Sequence, residues 1–224
     1  MNSVFVEYLR RMQIVAADEA LGEGDLPFIT ISRETGCHSM NIARLVQQQL
    51  NRQAKIKWQL VTKEILADAS REMHLNPAQV KGIIAGEKRS HLSEILHSIE
   101  NHAYLSDSVV RKKLAEFIES AALRGHVIIV GRAGAIITAR IPKGLHVRIV
   151  APLEWRINSI MTQQNIGRKE AQQWIIETDE KRRRLLEDFS GRSMNELIFD
   201  MVLNNATLGD EEIAGMIAGI IQKH

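Results

Sequence analysis

Residues 126–130, His-Val-Ile-Ile-Val, form an apolar run that stops at Gly131-Arg132. Such a run reads as a strand buried on both faces, and strands of that kind belong to parallel sheets covered by helices. Phe28-Ile-Thr-Ile31, Leu145 to Ala151 with two polar interruptions, and Leu197 to Leu203 repeat the signal, and Ile56 to Val61 is a weaker instance. Between them apolar residues recur at helical spacing: Ile42, Ala43, Leu45, Val46 and Leu50 after the first run, then 153–163, 168–188 and 210–222 after the later ones. Strands alternating with helices predict an α/β fold around a mostly parallel sheet.

Before Pro27 the texture differs. Val4, Phe5, Tyr8, Leu9, Met12 and Val15 suggest an amphipathic helix, and Gly22-Glu-Gly24-Asp25 breaks it, so residues 1–26 read as an extension and linker to a body at 27–224. That helix is expected to pack on the body or on a second subunit, in the latter case forming a homo-oligomer. Residues 63–123 are almost wholly helical in pattern, and about 63–105 read as a helical insertion.

Composition narrows the function. The chain has 224 residues, 45% hydrophobic and 25% charged, and its one cysteine, Cys37, excludes an internal disulfide and any multi-cysteine zinc site. No apolar stretch approaches the roughly 20 residues of a membrane span, and the amino terminus lacks a signal-peptide layout. A cytoplasmic protein with no membrane partner is expected. The net charge is +2, and basic residues are not interleaved with aromatics, so no nucleic-acid partner is expected either. His91, His97 and His102 lack metal-ligand spacing, and no metal site is assigned; the scattered Trp58, Trp155 and Trp174 are assigned to packing.

In open parallel sheets ligands bind beyond the carboxyl ends of the strands. Two segments lie there: Ser32 to Asn41 after the first strand, and Gly131 to Gly134 after the central one. The first stands where a phosphate loop would, but Gly36 is its sole glycine, and Ser39 falls where the G-x-x-x-x-G-K-S/T pattern puts its lysine. Spacing alone favours an ordinary strand-turn-helix, since one with a single glycine is commonplace.

The ordered set of short motifs goes further. Ile29-Thr-Ile-Ser-Arg-Glu34 with Gly36 and Ile42-Ala43, then Val127 to Arg132, Val147 to Pro152 with Arg156, Glu170-Ala171, Asp179-x-x-Arg182, Phe199-Asp200 and Leu203-Asn204, resembles the cytidylate kinase-like family of P-loop nucleotide kinases. The resemblance runs from about residue 27 to the end. It implies a three-layer P-loop kinase fold with about five parallel strands, a helical acceptor-binding insertion and a lid, here about 166–192. The implied activity is transfer of the terminal phosphate of ATP, with Mg2+, to a nucleoside monophosphate such as CMP or dCMP or to a related small phosphorylated acceptor.

By the same resemblance, the backbone of Gly36, Cys37, His38, Ser39, Met40 and Asn41 would hold donor phosphates. Arg33, Arg132 and Arg182 would be catalytic, and Arg156 and Asp179 nucleotide-binding. Plainer readings stand beside these: Arg182-Arg-Arg184 among Glu177, Glu180 and Glu187 fits a solvated helix face, and Asp179 fits a counter-charge. The chain also departs from its relatives. Cys37-His-Ser-Met replaces a glycine-rich loop, and Gly131-Arg132-Ala133 replaces Gly-Arg-Asp. An active kinase and a ligand-binding relative without turnover are therefore both carried forward.

Overall fold

The computed structural model describes residues 26–62, 107–190 and 198–223, together with Ile65, Val80 and Ile83. The expected helix within 1–26, nearly all of the insertion at 63–105 with its three histidines, and the end of the lid segment fall outside them. Five strands, β1 (Phe28–Arg33), β2 (Gln59–Val61), β3 (Val127–Val130), β4 (Gly144–Val150) and β5 (Met201–Asn204), form one sheet in the order β2-β3-β1-β4-β5. Every pairing is parallel. The connections are α1 (Ser39–Gln53), α2 (Asp107–Leu123), the short α3 (Gly134–Ile137), α4 (Leu153–Gln164) and α5 (Arg168–Ser190), and α6 (Asp210–Ile221) closes the chain.

The alternation of side chains along each strand decides what covers each face. Ile29, Ile31, Val147 and Ile149 point to one side. There Ile42, Ala43, Val46 and Leu50 of α1 and Ile213, Ile217 and Ile221 of α6 close over them at helical spacing. Phe28, Val127 and Ile129 point to the other side, under Val110, Leu114 and Ile118 of α2. A third small cluster, Ile157, Ile160, Ala171 and Ile175, pins α4 to α5 and makes the pair an arm with its own core.

β5 is shorter than the apolar run at 197–203 suggested: Phe199 and Asp200 precede it, and the Asp200 carboxylate accepts from the His146 amide at 2.7 Å. β2 begins at Gln59, not Ile56. Trp58 is buried, as packing requires, whereas Trp174 stands 46% exposed on α5, which corrects its assignment to packing. Among the described residues no helix is long and apolar enough to cross a membrane.

Candidate active site

β1 and β4 run in register, with Thr30 beside His146 and Ser32 beside Arg148. The two polar interruptions of the β4 pattern thus share one sheet face with two β1 hydroxyl residues, and Thr30 Oγ1 meets His146 Nδ1 at 2.8 Å. Ser32 and Arg148 of this stripe line a cavity of about 360 Å³, together with Arg33, Glu34, Asp179, Arg182, Arg183, Leu186, Glu187 and Phe199. The Arg148 guanidinium lies over the Phe199 ring, 5.6 Å from its centroid.

The cavity opens at the carboxyl end of β1, where Arg33, Arg132 and Arg182 converge. Gly131, Arg132 and Ala133 take three successive left-handed conformations, with φ of 71°, 58° and 54°. Backbone of that kind is costly for residues with a Cβ and persists only where its surroundings hold it. Here the Gly131 amide donates to Ile31 O at 2.9 Å, and the Gly134 amide to Gly131 O at 2.9 Å. Gly131 also makes room for Arg33: a Cβ there would lie 1.8 Å from Arg33 Nη1. Burial and the positive charges of Arg182 and Arg132 push Arg33 down to about 9, against a smaller opposing pull from Asp179. Burial also lowers Arg182. Among the described residues no carboxylate forms an ion pair with Arg33. A cation held this way is stabilised by any anion that reaches it.

The loop after β1 turns at Gly36, whose φ is 97° and whose missing Cβ would meet Arg156 O at 2.8 Å. Only glycine fits so close an approach of loop to α4. The Cys37 and Met40 side chains pack towards the core, and Ser39 is buried at the start of α1. His38 turns sideways: its Nδ1 is 3.2 Å from Asp210 Oδ1, its Nε2 3.2 Å from Ser159 Oγ, and its ring packs on Trp155 at 5.1 Å. Asn41 Nδ2 donates to Asp210 at 2.7 Å. The loop's larger side chains therefore lie away from its backbone amides. Burial, with the Glu34 charge second, pushes the Cys37 thiol up to about 12, so it is no reactive thiolate.

Three of the loop's amides are occupied within the protein. The Thr35 amide donates to Asp179 Oδ1 at 2.8 Å, that of Cys37 to Glu34 O at 3.3 Å, and that of His38 to Asn205 Oδ1 at 2.9 Å. Arg156 knits the arm to the loop: Nη1 meets Asp179 Oδ2 at 2.8 Å and Thr35 O at 3.3 Å, while Nε meets Ala151 O at 3.0 Å and Glu34 Oε2 at 3.3 Å. The three arginines of the 182–184 run separate. Arg182 turns inward to Thr35 Oγ1 at 2.8 Å, whereas Arg183 and Arg184 pair with Glu180 along the helix, and Arg183 also with Glu187. The solvated-face reading thus describes Arg183 and Arg184, and the inward one Arg182.

Residue-by-residue reading missed Thr35, Ser159, Asn205 and Asp210, whose contacts with the loop and arm cross more than a hundred positions of sequence. For Arg148 a signal existed, since a charged residue inside an apolar strand needs a reason. Among the described residues no three His, Cys, Asp or Glu side chains gather as metal ligands. Glu34, Asp179 and Asp210 are each engaged by neighbouring donors. This donor set does not fit a magnesium ion held by the protein itself.

A parallel five-stranded sheet with strand order 2-3-1-4-5, a glycine turn leading into a helix after the first strand, and arginines converging above it define the fold of the P-loop kinases. The cytidylate kinase-like family model matches residues 28–207, and the chain belongs to that family. An uncharacterised protein from Eubacterium ventriosum has a similar structure, with a TM-score of 0.65 and 15% identity over 89% of this chain and 100% of that one. Shikimate kinase from Bacteroides thetaiotaomicron (TM-score 0.44, 14% identity, 88% of this chain and 96% of that one) is more distant. So is shikimate kinase from Acinetobacter baumannii in complex with shikimate (TM-score 0.47, 11% identity, 93% of this chain and 97% of that one). No match to a curated protein was found by sequence.

Proposed function

We propose that the protein transfers the terminal phosphoryl group of Mg·ATP to a nucleoside monophosphate, CMP or dCMP first, or to a related small phosphorylated acceptor. The observation that carries this reading is the half-buried Arg33 in the cavity wall, which has no carboxylate ion pair among the described residues and feels the charges of Arg132 and Arg182. The charges of Arg182 and Arg132 weigh against the Arg33 guanidinium more than the Asp179 carboxylate favours it, and an acceptor phosphate with an incoming phosphoryl group supplies negative charge there. The start of α1, with no acidic residue in its first turn and no side-chain cap at His38, suits the donor's phosphates. In the transfer, an acceptor phosphate oxygen bonds to the terminal phosphorus as the bond to the bridging oxygen breaks and ADP leaves. The arginines stabilise the charge on the transferred oxygens. Magnesium enters with ATP as part of the substrate.

The test is acceptor-dependent ADP formation over a panel of monophosphates. Arg132→Ala is expected to lower turnover by roughly a hundredfold or more, as loss of one charge-stabilising donor does; unchanged turnover would remove Arg132 from the mechanism. A second reading, nucleotide binding without turnover, is favoured by the amides of Thr35 and His38 being already capped by Asp179 and Asn205. It predicts stabilisation by ATP with no ADP formed.

A further inference from the structure

Thr35 sits between the Ser-Arg-Glu signature and the Gly36 turn, 5% exposed, at the point where loop and arm meet. Its hydroxyl donates to Asp179 Oδ1 at 2.6 Å and accepts from Arg182 Nη1 at 2.8 Å. A threonine hydroxyl has one proton to give and lone pairs to receive, and both roles are used here. The same carboxylate oxygen takes the Thr35 amide, and its other oxygen takes Arg156 at 2.8 Å. Arg182 and Asp179 themselves approach only to 3.5 Å across one helical turn. The hydroxyl therefore stands between a carboxylate and a guanidinium that would otherwise close on each other.

We propose that Thr35 is a positioning residue that holds Arg182 towards the anion site and out of a short ion pair with Asp179; the proposal rests on the phosphotransfer reading above. The neutral hydroxyl takes Arg182 Nη1 at 2.8 Å while the ion pair with Asp179 stays at the longer 3.5 Å, so the guanidinium remains turned to the loop. Without the hydroxyl, Arg182 Nη1 loses its loop acceptor, and the Asp179 carboxylate already 3.5 Å away draws the guanidinium back along α5 into a shorter ion pair. Valine reproduces the shape of threonine without the oxygen, and serine keeps the oxygen without the methyl group.

Binding of inorganic phosphate to the full chain, measured by calorimetry, separates this role from turnover. The wild type binds phosphate, and Arg132→Ala, as a control on the site, loses it. Thr35→Val is expected to weaken phosphate binding about tenfold, the scale of one charge-assisted hydrogen bond. Thr35→Ser, which keeps the hydroxyl, is expected to stay within about threefold of the wild type, with a melting temperature close to it. A purely structural role would move the melting temperature and not the affinity. If Thr35→Val does not fold, Thr35→Ala takes its place. Wild-type affinity in the hydroxyl-free variant, or equal losses in Thr35→Val and Thr35→Ser, overturns the role of Thr35 and leaves the arginine site standing. A wild-type protein that binds no phosphate overturns both readings.

Discussion

Gly131→Ala separates the arginine site from the stability of the fold. The new Cβ would lie 1.8 Å from Arg33 Nη1, whereas carbon and nitrogen in contact stand roughly 3.5 Å apart, so the guanidinium must withdraw by more than about 1.5 Å. Because the atom displaced is the end of a flexible side chain, the fold itself is little strained. The stability cost is that of placing a Cβ at φ of 71°, about 1 kcal/mol, which lowers the melting temperature of a chain this size by roughly 2–4 °C. The functional cost is larger. A charged hydrogen bond to a bound anion contributes about 1.5–3 kcal/mol, so phosphate affinity should fall by roughly ten- to a hundredfold. Calorimetric titration with inorganic phosphate reads the affinity, and differential scanning calorimetry the stability. A lower melting temperature with phosphate affinity within twofold of the wild type would refute Arg33 as part of the anion site.

Arg156→Ala removes the tie among Glu34, Thr35 and Asp179. With Arg156 only 12% exposed and its carboxylate partners more so, the loss should be about 3 kcal/mol, or roughly 6–12 °C in melting temperature; a change under about 2 °C would show that the tie contributes little. At pH 8, iodoacetamide should label Cys37 roughly a thousandfold more slowly in the native protein than in the unfolded one, since native thiolate is scarcer by about that factor, and equal rates would contradict its burial. The unfolded thiol ionises near 9 and the folded one near 12, so the unfolded state releases its proton first. The stability this residue contributes is therefore whole below pH 9 and is lost as pH rises towards 12, measurable as a falling denaturant midpoint.

The sheet was legible because burial on both faces leaves a continuous apolar run, and β1, β3 and β4 lie within a few positions of the runs that announced them. The helices were legible for the same reason at another period. β5 was less so, since Phe199 is apolar yet belongs to the cavity wall, and hydrophobicity alone does not separate a strand residue from a wall residue. Arg33, Arg132 and Arg182 were reached through an ordered resemblance, and the structure brings them together. What joins them to the loop was not legible: Thr35 and Asp179 are 144 positions apart, and nothing in either local sequence points to the other. The three consecutive arginines on α5 look alike in sequence. Their fates differ because a helix turns about 100° per residue, so Arg182 faces the loop while Arg183 and Arg184 meet Glu180.

The most direct measurement follows phosphorus NMR of Mg·ATP incubated with the purified protein and CMP. The account predicts new diphosphate signals from CDP and ADP that grow together, require CMP or another monophosphate of the panel, and grow roughly a hundredfold or more slowly with Arg132→Ala. A folded protein that leaves ATP and every monophosphate unchanged would contradict it.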